Sequence, residues 1–390
     1  MIQTKVFQVG SGWFPHTKGG AENMFFALFE GLQREGFAVR GIVAGSDQVS
    51  RETGGLMRGF PVDGVWMPRR AVSIRRSARQ SFNDAHPDLI ASHFALYSLP
   101  LLDRLAQHPM VLHFYGPWAL ESAVEGASAP VVAAKKALER VVYRRSRRAI
   151  VMSRAFGDLL RDYYGVPSEI IRVVPGGVDC ARYDLPLDRA AARERLGWSA
   201  ERPTVFVVRR LVRRMGLDRL LDAVAMLRRD RNDVAQELVL HVAGSGPERA
   251  ALQARAAALG LSETVLFDGF LSDDQLPLAY RAADLTLMPT RELEGFGLVV
   301  VESLAAGTPV MVTPVGGLPE VVEGLATAGQ ASGMTLRGST AADIAAGLGA
   351  WLDGSALLPD AASCRAYARQ RFDWSVISPQ VASIYREALQ

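Results

Sequence analysis

The sequence predicts an α/β protein built from two parallel, doubly wound sheets, and three observations carry that prediction. Short apolar runs recur along the 390 residues, each closed by a glycine or polar turn. Helical stretches separate them, so successive strands need crossover connections and pair in parallel, buried on both faces. The whole pattern occurs twice, which for a chain of this length fits two domains with substantial cores.

In the first half, Val6-Phe-Gln-Val9 reads as a strand, followed by a Gly-rich loop and an amphipathic helix from about Glu22 to Glu35. Strands are expected at Val39–Val43, Asp88–Ser92, Met110–His113, Arg148–Met152 and Ile171–Val174. The turn Val174-Pro-Gly-Gly-Val-Asp179 and the residues to about Pro203 read as a connection with a short helix. The second half offers strands at Thr204–Val208, Leu238–Ala243, Thr264–Asp268, Leu285–Pro289 and Pro309–Val312. A last amphipathic helix is expected from Asp373 to Leu389. Two such units give two Rossmann-like domains facing a cleft.

Composition excludes several classes. Hydrophobic residues make up 49% and charged residues 22%, as in a globular protein. No apolar run approaches the roughly 18 residues that cross a bilayer, and the N-terminus lacks a signal-peptide layout. A cytoplasmic protein is therefore expected. Cys180 and Cys364 form no disulfide framework and lack metal-ligand spacing. Only Lys5, Lys18, Lys135 and Lys136 are lysine, so the second half cannot form a Schiff base with a carbonyl cofactor.

Charge is uneven. Residues 1–180 hold 22 Lys and Arg against 16 Asp and Glu. Arg69, Arg70, Arg75, Arg76 and Arg79 share one stretch without an acid, and Lys135 to Arg148 carries seven basic residues against Glu139. Such clusters fit a solvated face, an anionic membrane surface or an anionic substrate.

Chemistry concentrates at the ends of predicted strands. Glu294-Gly-Phe-Gly-Leu-Val-Val-Val-Glu302 follows the apolar run Leu285-Thr-Leu-Met-Pro. Its Gly-rich turn opens a helix whose orphan N–H groups favour an anion, while Glu294 and Glu302 can accept hydrogen bonds from hydroxyls. Together they describe a pocket for a ligand with both phosphate and sugar. Lys18-Gly-Gly-Ala-Glu22 fits a close backbone approach to a ligand, or a plain tight turn. His113 at a strand end fits a contact to a substrate hydroxyl, or a capped core histidine. Arg209-Arg-Leu-Val-Arg-Arg-Met-Gly216 fits a clamp on a diphosphate, or a solvated basic loop. Gly244-Ser-Gly246 is a further strand-to-helix turn. Gly10-Ser-Gly12 is followed by Pro15, so the dinucleotide fingerprint fails.

In this order, Gly19-Gly-Ala-Glu22, His113, the arginine loop, Ala243-Gly-Ser-Gly246, Glu294 to Glu302 and Val315-Gly-Gly-Leu-Pro-Glu320 resemble the retaining glycosyltransferases of family 4 (group 1). The resemblance covers nearly the whole chain and implies the GT-B fold. It implies an acceptor-binding domain at 1–180, a nucleotide-sugar domain at 200–370, and a helix at 371–390 that crosses back to the first domain. Arg210 would contact the donor diphosphate. Glu294 would hold the donor sugar with the N–H groups of Gly295, Phe296, Gly297 and Leu298, and Glu302 would accept from ribose hydroxyls. Gly19 and Gly20 would approach from the opposite wall, His113 would touch the sugar near its reacting carbon, and Gly244 would line the nucleotide side.

Two departures stand out. The family's usual Gly before the phosphate arginine is Arg209 here, and its usual Lys is Met215. Arg213 or Arg214 is then the nearby substitute cation, with Arg214 favoured. The implied activity is retaining, metal-independent transfer from a nucleotide-sugar of UDP or GDP type to a sugar or lipid-linked acceptor. No cofactor beyond the co-substrate, no metal and no nucleic acid is expected. Peripheral contact with the inner membrane face through the basic first domain is expected too. The alternative is a non-catalytic partner subunit that binds a nucleotide-sugar.

Overall fold

The computed structural model describes residues 3–231, 237–326 and 333–390, without the side chains of 83–85 and 326. The chain divides into two compact units, Met1–Gly177 with Trp374–Gln390, and Val178–Asp373.

The first unit holds seven strands: β1 (Lys5–Gly10), β2 (Ala38–Ala44), β3 (Met57–Phe60), β4 (Leu89–Ser92), β5 (Met110–Phe114), β6 (Arg148–Val151) and β7 (Ile171–Val173). They pair in parallel in the order β3-β2-β1-β4-β5-β6-β7. β3 was not expected. Arg58 and Gly59 break its four residues, so it does not read as an apolar run, and it is held at the sheet edge by β2.

Two apolar layers cover the sheet. One includes Phe7, Phe60, Ile74, Phe82, Phe114 and Tyr164. The other joins Phe25, Leu28 and Leu32 of the helix Gly20–Arg34 to Ile377, Val381 and Tyr385 of the last helix, Trp374–Leu389. Ion pairs reinforce that helix, since Glu387 meets both Arg148 and Arg172.

The second unit holds β8 (Thr204–Val208), β9 (Val239–Ala243), β10 (Val265–Gly269), β11 (Leu285–Met288) and β12 (Val310–Val312), parallel in the order β10-β9-β8-β11-β12. Its core includes Val205, Val207, Leu220, Val224, Leu240, Leu285 and Leu287. Residues 180–203, expected as a connection, belong to this unit. Asp188 caps the helix Arg189–Leu196, and the buried Arg193 donates to the carbonyls of Ala282 and Ala200 and to Asp284.

In each sheet the direction of connection reverses once, between β1 and β4 and between β8 and β11. Loops leaving the carboxyl ends of the strands spread apart there and leave a crevice, the usual ligand site of an open α/β sheet.

Candidate functional site

The site of the second unit forms from the loops after β8, β9, β11 and β12, which hold one another by their backbones. Arg209 N donates to Ala243 O (3.0 Å) and Leu211 N to Ser245 O (2.9 Å). Gly244 permits this approach: at φ +121, a Cβ there would lie 1.9 Å from Arg209 O. Across the switch point, Arg291 N donates to Arg214 O (2.9 Å), and the Arg214 guanidinium donates to Leu293 O (2.9 Å). Leu293 is held at φ +57, an uncommon conformation for a residue with a side chain. Gly317 N then fixes Glu294 O at 3.0 Å, and Gly316, at φ +56, leaves no room for a Cβ against that oxygen.

This scaffold sorts the arginines. Arg210 and Arg213 are exposed, and their guanidinium groups have no hydrogen bond or ion pair among the described residues. Arg214, favoured from the sequence as the substitute cation, is buried and spends its guanidinium on the Leu293 carbonyl. Its place is in holding the Glu294 loop, and Arg213 is the cation that faces outward. Arg209 is also buried; its Nη2 donates to a Glu294 carboxylate oxygen, to Thr290 Oγ1 (3.0 Å) and to the Met215 sulfur (2.7 Å).

After β11, Gly297 begins the helix Leu298–Ala305 in the left-handed conformation. The N–H groups of Phe296, Gly297 and Leu298 donate to nothing among the described residues, as expected of orphan donors at a helix start. Gly295 lies buried beside them, and the Phe296 ring packs into the unit against Phe372. Glu302, in the second turn, takes a hydrogen bond from Tyr280 (2.7 Å). Burial raises its carboxyl above the usual range, while the Tyr280 and Tyr183 hydroxyls pull it back down.

In the first unit, Gly19 and Gly20 are exposed at the start of the helix Gly20–Arg34, after β1 and at that sheet's switch point. His113 is different. It is buried, its Nε2 meets the Tyr385 hydroxyl at 2.7 Å, and its ring stacks on His93 at 4.1 Å. Burial pushes its pKa down to about 3. Here it is a core histidine that ties β5 to the last helix, a partner 272 residues away that local sequence could not reveal. The part-exposed group at this strand end is Tyr115, whose hydroxyl meets His93 Nδ1 (2.9 Å).

Sequence reasoning missed Arg209 as a partner of Glu294, and it missed Thr290, Tyr183 and Tyr280. One signal for Arg209 was present. Consecutive residues leaving a strand point to opposite sides, so one arginine of the pair turns inward. Among the described residues, no group of three or more His, Cys, Asp or Glu is placed to hold a metal.

The second unit thus offers outward guanidinium groups, open N–H donors and two carboxylates at one switch point. That set suits a ligand that is an anion at one end and a polyol at the other. Comparison with known proteins agrees with that class. Residues 188–371 match the family model "Glycosyl transferases group 1", and residues 18–182 match "Glycosyltransferase Family 4".

A D-inositol 3-phosphate glycosyltransferase of Streptomyces scabiei is 31% identical over 322 residues, covering 78% of this chain and 69% of its own. That of Nocardia farcinica is 35% identical over 291 residues, covering 73% of this chain. The match spans 62% of the Nocardia relative's length, and 59% of that of a third relative, from Streptomyces bingchenggensis. The chain belongs to the group 1 glycosyltransferase family.

Solved structures share its fold. Sucrose-phosphate synthase of Thermosynechococcus elongatus superposes with a TM-score of 0.80 at 20% identity, covering 99% of each chain. HepE of Anabaena, solved with UDP-glucose, superposes with a TM-score of 0.77 at 22% identity, covering 99% of this chain and 100% of its own. The fold is the GT-B class, as the resemblance implied.

Proposed function

We propose that the protein is a retaining, metal-independent glycosyltransferase that moves a sugar from a nucleoside-diphosphate sugar to an acceptor hydroxyl. One observation carries this reading: the switch point of the second unit sets the free guanidinium groups of Arg210 and Arg213 and the N–H groups of Phe296 to Leu298 in loops that also carry Glu294. The cations and N–H groups take the diphosphate, and Glu294 takes sugar hydroxyls. Glu302 takes the ribose. In the step itself, the bond from the anomeric carbon to the phosphate oxygen breaks while a bond to the acceptor oxygen forms on the same face. The acceptor proton passes to the departing phosphate, whose charge Arg210 stabilises.

The donor is of UDP or GDP type. UDP has first claim, because structural neighbours were solved with UDP and UDP-glucose. An anionic acceptor suits the basic first unit, and the inositol 3-phosphate in the relatives' names is of that kind.

Thermal stability against nucleoside diphosphates and nucleotide-sugars tests the reading. A ligand at about 100 times its Kd adds roughly 2.7 kcal/mol to the native state, a shift of several degrees. A shift with one base identifies the donor class, and the anomeric configuration of the product then tests retention. No shift with any nucleotide at millimolar concentration would overturn the proposal.

Peripheral membrane contact is a second part of it. No helix among the described residues is long and apolar enough to cross a membrane. The helix Met67–Ala85 nevertheless shows solvent an array of Arg69, Val72, Arg76 and Arg79, beside Trp66 at its N-cap. Trp66 and Val72 are 72% and 68% exposed, and the three arginines have no partner among the described residues. Arg75 is held by Asp103, and Arg70 by the carbonyls of Val62 and Val65.

The second basic cluster is partly tied down, with Lys135 over Trp118, Lys136 over Tyr163 and Arg148 paired to Glu387. Of the two clusters, among the described residues, the helical array is the one that combines unpaired cations with an exposed aromatic, the chemistry of a membrane interface. Binding to vesicles rich in phosphatidylserine should fall steeply with salt and drop about tenfold or more in Arg69→Glu/Arg76→Glu. Binding that ignores both salt and the substitutions would remove this part.

A further inference from the structure

Arg209 is a buried cation with no part in the proposed transfer. Its side chain is 6% exposed, and a buried charge persists only when paired and hydrogen-bonded. The pairing is one-sided. Nη2 serves Glu294, Thr290 and the Met215 sulfur, while Nε is buried with no hydrogen-bond partner among the described residues. On the carboxylate, only Oε2 is engaged, by Arg209 Nη2 and by Thr290 Oγ1 at 3.4 Å. Oε1 has no hydrogen bond among the described residues, and the side chain keeps 14% of its surface. The residue that faces the guanidinium from the β8 loop is a neutral thioether, so no second cation competes for Glu294 there.

We infer that Arg209 is a positioning residue for donor-sugar recognition, holding Glu294 by one carboxylate oxygen so that the other is aimed at a sugar hydroxyl. This rests on the reading of Glu294 as the sugar-binding carboxylate. A carboxylate on a loop would otherwise sample several rotamers, and fixing it in advance removes that ordering cost from binding. The anchor acts through Glu294 and not on the phosphates. Arg209 points into the unit, whereas Arg210 and Arg213 point out of it. Arg209 therefore separates two parts of donor binding that would normally fall together: affinity for the nucleoside diphosphate, and the gain in affinity that the sugar adds.

The test is calorimetric titration of wild type, Arg209→Met and Arg209→Lys with two ligand pairs, UDP with UDP-glucose and GDP with GDP-mannose. Ligand-free unfolding midpoints serve as the fold control. The wild type should bind one nucleotide-sugar more tightly than its parent diphosphate, and a wild type that binds the two equally would overturn the inference, since the sugar would then add no affinity for Arg209 to position. Arg209→Met should keep the diphosphate Kd within about twofold and weaken the nucleotide-sugar about tenfold or more, the size of effect expected for a lost charged hydrogen bond. Arg209→Lys, which keeps the charge and loses the fork, should fall between.

Equal weakening of both ligands would show Arg209 acting on the diphosphate or on the fold, and would overturn the inference. Unchanged affinity for both would overturn it as well. If Arg209→Met unfolds, the same comparison is read from Arg209→Lys. A wild type that binds neither pair fails at the nucleotide-sugar reading itself, a result separate from any pattern among the variants.

Discussion

Arg210→Ala should lower turnover about a hundredfold or more, because one preorganised charged donor is worth on the order of 3 kcal/mol to a transition state. The structure makes this substitution unusually clean. Arg210 is exposed in the loop after β8, and its guanidinium makes no hydrogen bond or ion pair among the described residues. The unfolding midpoint should therefore hardly move, as for other surface changes of this kind. Arg210→Lys keeps the charge but loses the forked geometry that matches a phosphate, and should fall between the two. The comparison needs steady-state kcat and KM for both variants with the donor found by thermal shift. Near-normal turnover in Arg210→Ala would remove Arg210 from the diphosphate site and leave Arg213 as the outward cation.

The second large effect is on stability. Glu139 is buried in the first unit and gathers four donors: Trp118 N (3.0 Å) and Tyr143 Oη (3.0 Å) on one oxygen, Ala119 N (3.1 Å) and Tyr164 Oη (2.8 Å) on the other. Burial raises its carboxyl above the usual range, and these four bonds work against that shift. Glu139→Ala strands four donors, those of the buried Ala119, Tyr143 and Tyr164 and of the part-buried Trp118, and a buried donor costs about 1–3 kcal/mol when left unmade. A loss of about 4 kcal/mol or more is expected, which is roughly 10 °C in the melting of a unit of this size. Glu139→Gln keeps one acceptor oxygen and should lose less. Denaturant or thermal unfolding reads the difference. A loss below about 1 kcal/mol in Glu139→Ala would show that water or a local shift satisfies the donors. The same carboxylate pins the segment after β5, so its loss should also loosen the loop that carries Tyr115.

The sequence was sufficient for the strands because a buried parallel strand announces itself locally, as a short apolar run closed by a turn. Eleven of the twelve strands fall where such runs lie, and the exception, β3, is the one broken by Arg58 and Gly59. The place of the candidate site was legible for a related reason. Ligand-binding groups of an α/β sheet collect at the carboxyl ends of strands, and Arg210, Gly244 and Glu294 lie on the loops that leave β8, β9 and β11.

What stayed hidden depended on partners far along the chain. Neighbouring arginines have the same local signature, yet Arg209 and Arg214 turn inward to Glu294 and Leu293 while Arg210 and Arg213 face solvent. The sequence left His113 open between a strand-end ligand and a capped core histidine, and it is the last helix that brings Tyr385 to it. Of the five arginines between positions 69 and 79, two are tied down by groups outside the helix, including an aspartate 28 residues away.

The sequence by itself thus determined the class of fold, the strand ends where chemistry would gather and the family to which the chain belongs. Tertiary structure alone decided which charged side chains are spent within the fold and which remain for a ligand. The periodicity of strands and helices is written in neighbouring residues. Whether a guanidinium is free is settled by carbonyls and carboxylates that only folding brings beside it.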